Sequence, residues 1–295
     1  MLLMAFLLFS GCNRSADDGV LKIADQFGLA YAPLVVIKER SMLEEKGLVV
    51  EWVQLGNASA IREAMLAGGL DIGFMGIPPY LIGRDKGMEW QVFTGLTSAK
   101  LGLVSNLETI ESIEDIEGHH RIIVPQPGSI QHILLSMAAE HTLGDPAVFD
   151  MQLVSMKHPD GLQALRAKGD IQMHFTSPPY VNMALAGEGF RLVLDGEEAF
   201  GGPFTFIIGV ASKSMVEKGQ ELEILQETLI DAIAWMQNNP SEAVELLSTY
   251  YDLSEEDTKE YLLGEQLRFG TEIEGLEKFE SFMSEAGYLS GIEEK

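Results

Sequence analysis

From Leu21 the chain alternates short apolar runs with stretches of helical period. "LKIAD" reads as a strand, and "APLVVIKERSMLEEKG" as a helix with Pro33 in its first turn and Gly47 just past its end. "LVVEWVQL" is the next strand, after which Asn57 is placed to cap "ASAIREAMLAGG". "DIGFMG" is a short strand of buried type, followed by a helix that opens on Pro78 and Pro79 and closes at Gly87, and then by the strand "WQVFTGL". The order restarts at Arg121: strand "RIIVP", helix "SIQHILLSMAAEH", strand "FDMQLVS", helix "DGLQALRAKG", strand "IQMHF", helix "PPYVNMALAGEG" and strand "RLVLD". Strands interleaved with helices of this length predict parallel pairing and an α/β fold. After Gly202 the run "FTFIIGVAS" reads as a strand crossing back, and "ELEILQETLIDAIAWMQNN" as a long helix. Three more helices are predicted near 241–250, 254–264 and 274–286.

The pattern is also a repeat. "FMGIPPY" at 74–80 returns as "HFTSPPY" at 174–180, and "AMLAGGLDI" lines up with "ALRAKGDI" if one residue is dropped. "KIADQFGLAYAPLVVIKE" and "RIIVPQPGSIQHILLSMAAE" match in the same way, each a strand, a Gly-containing loop and a helix. A period of about one hundred residues is too long for a solenoid, whose units run roughly 20 to 50. It predicts two similar lobes, in keeping with a chain of 295 residues.

Charge narrows the partners. Twenty Lys and Arg against 45 Asp and Glu leave a net −25, scattered along the chain, which argues against nucleic acid and against anionic lipid surfaces. The one cysteine, Cys12, excludes a disulfide framework and a catalytic thiol in the body of the chain. The histidines show no metal-ligand spacing, and there is no Walker loop, G-x-S-x-G elbow or H-E-x-x-H, so neither metal nor cofactor is expected.

The start "MLLMAFLLFSGC" is too short to span a bilayer but fits the apolar region of a signal peptide. Leu8-Phe9-Ser10-Gly11-Cys12 resembles a bacterial lipobox, with Phe9 where the usual pattern has Leu. It implies a signal segment over residues 1–12, lipid attachment at Cys12, and a polar tether over 13–19.

In open α/β sheets, ligands lie beyond the carboxyl ends of strands, at loops leading into helix N-termini. Two facing lobes therefore make a cleft lined by the duplicated turns. Candidate contacts are Phe27 and Tyr31 after the first strand, Ser129 in "PQPGSIQH", Thr176 and Ser177 before Pro178, and His174 at a strand end. "GGPFTF" reads as a hinge next to the cleft, with Phe204 or Thr205 touching the ligand. Each has a plainer reading: Ser129 and Ser177 as helix caps, Phe27 and His174 as core. Lys100 is the nearest basic residue to these loops.

"YAPLVVIKE", "AGGLDIGFMGIPPY", "PGSIQH", "ALRAKGDIQMHFTSPPY" and "AIAWMQNNPSEAVELL" together resemble the substrate-binding proteins of nitrate, sulfonate, taurine and thiamine-pyrimidine ABC importers. The resemblance implies a bilobed periplasmic-binding-protein fold of type II, two α/β lobes joined by two hinge strands. Lobe one is then 20–102 plus 208–295, and lobe two 103–207. It implies a monomer that captures a small solute and delivers it to a permease and its ATPase at the outer face of the bacterial cytoplasmic membrane. Cleft positions carried over by the resemblance are Phe27, Tyr31, Gly76, Ile77, Thr97, Ser98, Ser129, Thr176 and Ser177. Sulfonate binders often have Trp-Asp-Pro where this chain has Thr176, Ser177 and Pro178, which leaves the solute class open. The competing functions are an enzyme on the same fold, like the pyrimidine synthases or menaquinone-pathway lyases, and a ligand sensor.

Overall fold

The computed structural model describes residues 19–291, so the signal segment, Cys12 and nearly all of the tether lie outside the described residues. Two sheets carry the molecule. The first contains β1 (Val20–Asp25), β2 (Val49–Gln54), β3 (Ile72–Met75), β4 (Gln91–Ala99), β10 (Ile207–Ala211) and β11 (Leu267–Phe269), in the order β11-β4-β10-β3-β1-β2. The second contains β5 (Gly102–Ser105), β6 (Ile122–Val124), β7 (Leu153–Ser155), β8 (Met173–Thr176) and β9 (Arg191–Asp195), in the order β7-β6-β8-β5-β9.

The sequence repeat becomes a repeat of topology. In each sheet three consecutive strands pair in parallel, with the first of the three in the middle: β2-β1-β3 and β7-β6-β8. Beside the third lies an antiparallel strand that arrives from the other half of the chain, β10 against β3 and β5 against β8. The chain leaves the first sheet at the end of β4, enters the second at β5, and comes back through β10. The two crossings run side by side, tied by Gly196 N–H donating to Leu101 O at 2.8 Å and Phe206 N–H to Thr97 O at 2.8 Å.

Crossover helices follow the strands. They are α1 (Ala32–Glu39), α2 (Ala58–Leu66) and α3 (Ile77–Asp85) in the first half, and α4 (Ile130–Leu143), α5 (His158–Arg166) and α6 (Tyr180–Leu185) in the second. Asn57 caps α2 through Oδ1, which accepts from Ala60 N–H at 3.0 Å. The helix expected to run to Gly47 stops at Glu39, because Ser41 takes a left-handed conformation at φ 52° that an α-helix does not continue through. The predicted strand "FDMQLVS" is a strand only over β7; its first half is a tight helical turn, Asp150–Gln152.

The short α7 (Gly196–Phe200) and α8 (Lys213–Glu217), with β5 and β11, are additions that hydrophobic period did not mark. The tail is α9 (Gln220–Asn238), α10 (Pro240–Tyr251), α11 (Glu255–Leu263) and α12 (Leu276–Glu285). α9 and α10 pack on α1, and α12 on α3, so the tail returns to the first sheet. Among the described residues no helix is long and apolar enough to cross a membrane.

Candidate functional site

A cleft opens where the carboxyl ends of both parallel strand sets face each other. From the first half it is lined by Gln26, Phe27 and Tyr31 after β1, Ala58 at the start of α2, and Gly76 and Pro79 at the start of α3, with Phe206 and Ile207 where the chain returns into β10. From the second half come Pro125 and Gln126 after β6, Ser129, Ile130 and Gln131 at the start of α4, His158 at the start of α5, and Ser177. The space between them is about 30 Å³, room for a few waters at most. A solute the size of an amino acid needs the two halves to separate before it enters.

Of the residues expected at the cleft, the structure brings Phe27, Tyr31, Gly76, Ser129 and Ser177 together. Ser129 is also a cap, its Oγ accepting from His132 N–H at 3.3 Å. Ser177 meets α6 through its carbonyl, which accepts from Val181 N–H at 3.1 Å, while the N-cap is Pro179 and α6 has no side-chain cap.

The others stand elsewhere. Ile77 is buried in the first turn of α3. Thr97 is buried with its hydroxyl donating to Ala30 O, and with Ser98 it borders a separate depression beside Thr205 and Arg268. Phe204 is 1% exposed in a ring cluster with Phe200 and Phe279, so Phe206, two residues on, supplies the aromatic surface instead. Thr205 is spent on the C-terminal loop: its N–H and hydroxyl donate to Glu274 O and Glu272 O, and its Oγ1 accepts from Glu274 N–H. Lys100 pairs with Glu265 at 3.6 Å, away from the cleft lining. The basic group near the mouth is Lys157, whose Nζ lies 5.8 Å from the Phe27 ring.

His174 and Thr176 sit one layer behind the wall. Thr176 Oγ1 lies 2.8 Å from His158 Nδ1, and His158 Nε2 lies 3.5 Å from Gln131 Nε2. If Gln131 donates to Nε2, the imidazole proton is on Nδ1 and goes to Thr176. Burial pushes the His158 imidazole down to about 4, so it is neutral near pH 7. Tyr180 stacks on the His158 ring, 5.7 Å away and 14° from parallel. His174 is fully buried with neither ring nitrogen paired, and burial, then the neighbouring His158, holds it well below its usual range. Gly161 leaves room for that ring: a Cβ there would stand 2.7 Å from His174 Cε1.

Behind the opposite wall, burial raises the Asp25 carboxyl to about 7, against the pull of Lys38. Burial and then Asp25 in turn hold the phenol of Tyr31 well above its ordinary value.

Gln26, Gln126, Gln131 and His158 escaped the sequence reading. The signal was there for one pair: "DQFG" and "PQPG" place Gln26 and Gln126 in register, each two residues before a Gly in a positive-φ turn. Lys, Arg, Asp and Glu are absent from the described residues lining the cleft, and no group of three or more described His, Cys, Asp or Glu is placed to hold a metal.

Known proteins match this architecture. The periplasmic aliphatic sulphonate binding protein of Escherichia coli superposes with a TM-score of 0.72 at 21% identity, over 92% of this chain and 94% of that one. The alkanesulfonate-binding protein of Xanthomonas axonopodis pv. citri, bound to MOPS, gives 0.76 at 19% identity, over 93% and 96%. At such identities the likeness establishes the bilobed periplasmic-binding-protein fold. In sequence, the taurine-binding periplasmic protein of Escherichia coli K12 is 28% identical over 200 residues, 66% of this chain and 59% of that protein's length. The model of the NMT1-like family matches residues 19–249, well over half of the chain. Two matched lobes around a cleft and a family match across both of them lead to one assignment: the chain belongs to the NMT1-like family.

Proposed function

We propose that this protein is an extracytoplasmic solute-binding component of an ABC importer, a binder rather than an enzyme. It takes a small solute between its lobes and passes it to a permease with its ATPase. The observation that carries this reading is the cleft itself, walled from both sides by the duplicated turns and too small for a solute unless the lobes part. Such a site works by hinge motion.

The lobes are 20–102 with 208–295, and 103–207. Phe27, Tyr31, Gly76, Ser129 and Ser177 contact the solute, joined by His158 and Phe206. With no fixed charge in the lining, an anionic head group is held by helix N-termini and neutral donors. The relatives' sulfonate and taurine ligands make that class the first to try. The mature chain is a monomer, lipidated at Cys12 and anchored to the outer face of the cytoplasmic membrane in the periplasm.

The test is calorimetry and thermal denaturation with taurine, alkanesulfonates, nitrate and pyrimidines. One-site saturable binding without turnover is expected, with stabilisation of about 2.7 kcal/mol at a hundredfold excess over Kd. Chemical consumption of any of these compounds would instead identify an enzyme. Mass spectrometry of membrane-fractionated protein checks acylation of Cys12, and an unmodified thiol in the cytosol refutes the anchor.

A further inference from the structure

Gln126 reaches out of its own lobe. Its Oε1 accepts from Ser59 N–H at 3.0 Å, in the first turn of α2 on the opposite side of the cleft. That contact fixes the orientation of the carboxamide, because only its carbonyl oxygen can face an N–H donor. The Nε2 group is left buried in the cleft wall with no partner, on a residue only 6% exposed. An amide donor left buried and unpaired by the protein is costly unless something arrives to accept from it.

Gln26, its counterpart in the first lobe, shows the contrast. It lines the same cleft, but its Nε2 donates to Phe74 O at 3.3 Å within its own lobe. One of two equivalent glutamines is thus satisfied at home, and the other bridges the lobes with one end while presenting the other end unused. Lys157 over Phe27, also across the mouth, is a weak contact at 5.8 Å.

Resting on the solute-binding reading above, we propose that Gln126 couples capture to closure. Its Oε1 holds the start of α2 in the facing lobe, and its Nε2 donates to a hydrogen-bond-accepting oxygen of the solute. A carboxamide does both because it carries an acceptor and a donor on one rigid plane. A carboxylate keeps the first ability and loses the second.

The test uses the full chain with Cys12→Ser, with labels at Leu66→Cys and Met151→Cys, one exposed site on each lobe. Interlobe distances are measured without solute in the wild type, Gln126→Ala and Gln126→Glu, and affinities for taurine and MOPS are then read by calorimetry. Gln126→Ala widens the solute-free distance distribution while Gln126→Glu preserves it. Both lose tenfold or more in affinity. The loss in Gln126→Glu persists from about 0.05 M to about 0.5 M salt, since screening removes charge repulsion but does not restore a donor. Wild-type affinity in Gln126→Glu, or an unchanged solute-free distance in Gln126→Ala, overturns the inference. If neither probe binds the wild type, the solute class proposed above has failed, and the solute-free distances still decide the role of Gln126.

Discussion

The turns at 74–80 and 174–180 occupy matched places in matched sheets and end on the same Pro-Pro-Tyr, yet their interiors differ in kind. In the first lobe Phe74 is fully buried and meets Phe93 edge-on at 6.1 Å, and Gly76 brings the backbone close to Ile130 of the other lobe. In the second lobe the equivalent of Phe74 is His174, and Gly76 gives way to Thr176, which orients the wall residue His158. One copy is built for packing and the other carries a polar layer. The duplicated backbone sets where a turn lies; the side chains behind it decide whether it can hold a neutral hydrogen-bonding group at the cleft.

Exchanging these interiors sharpens the contrast. Phe74→His buries an unpaired imidazole and leaves a void where the larger phenyl ring packed, and a loss of about 3 to 5 kcal/mol is expected in urea unfolding. A loss under about 1 kcal/mol would mean that the two turns are interchangeable.

Acid titration separates the lobes next. On unfolding, His158 and His174 regain a pKa near 6.5, whereas folded His158 takes its proton only at about 4, and burial and the neighbouring His158 hold His174 well below its usual range. Between those values the unfolded chain binds more protons, so stability falls as pH falls, by at most about 1.4 kcal/mol per pH unit for each imidazole. Asp25 in the first lobe opposes this. Its folded carboxyl keeps a proton up to about 7, so its stabilising share is complete below the unfolded value near pH 4 and is lost as pH rises towards 7. Two imidazoles outweigh one carboxyl in this window. His174→Leu should therefore lower the slope between pH 6 and 4.5, read from denaturant midpoints.

Thr176→Val, which removes the partner of His158 Nδ1, is expected to cost about 0.5 to 1.5 kcal/mol in stability. An unchanged midpoint would show that His158 holds its place without that bond.

The smallest effect concerns the loop before the third strand, where Gly68 at φ 73° matches Lys168 at φ 50°. Lys168→Gly relieves a left-handed lysine but loses its contact with Phe190, 5.2 Å away. A gain of less than about 1 kcal/mol is expected.

Much of this was legible in the chain. Strand and helix order followed from period, and the two-lobe architecture from a repeat whose marks, Pro-Pro-Tyr and the Gly-ended loops, are local. The crossing strand β5 was not visible, because four residues buried on both sides show no alternation. At the site, Ser129 and Ser177 were reachable from predicted helix starts, whereas His158 lies in "MKHPD", two residues before the Asp160 at which period starts the helix, although α5 begins at His158 itself. Phe204 was misplaced since Phe204 and Phe206 are equivalent by composition, and only the packing of Phe279 from the far tail separates them.

The place of β10 between β3 and β4 has a consequence for how the chain acquires its structure. All five strands of the second sheet lie within residues 102–195, while the first sheet waits for residue 207 before β3 and β4 have a neighbour between them. As the chain emerges in order, the second lobe can complete its sheet while the first still holds an open gap. The half that begins the chain is the half that finishes last, and until β10 arrives the edges of β3 and β4 are the surfaces most exposed to mispairing.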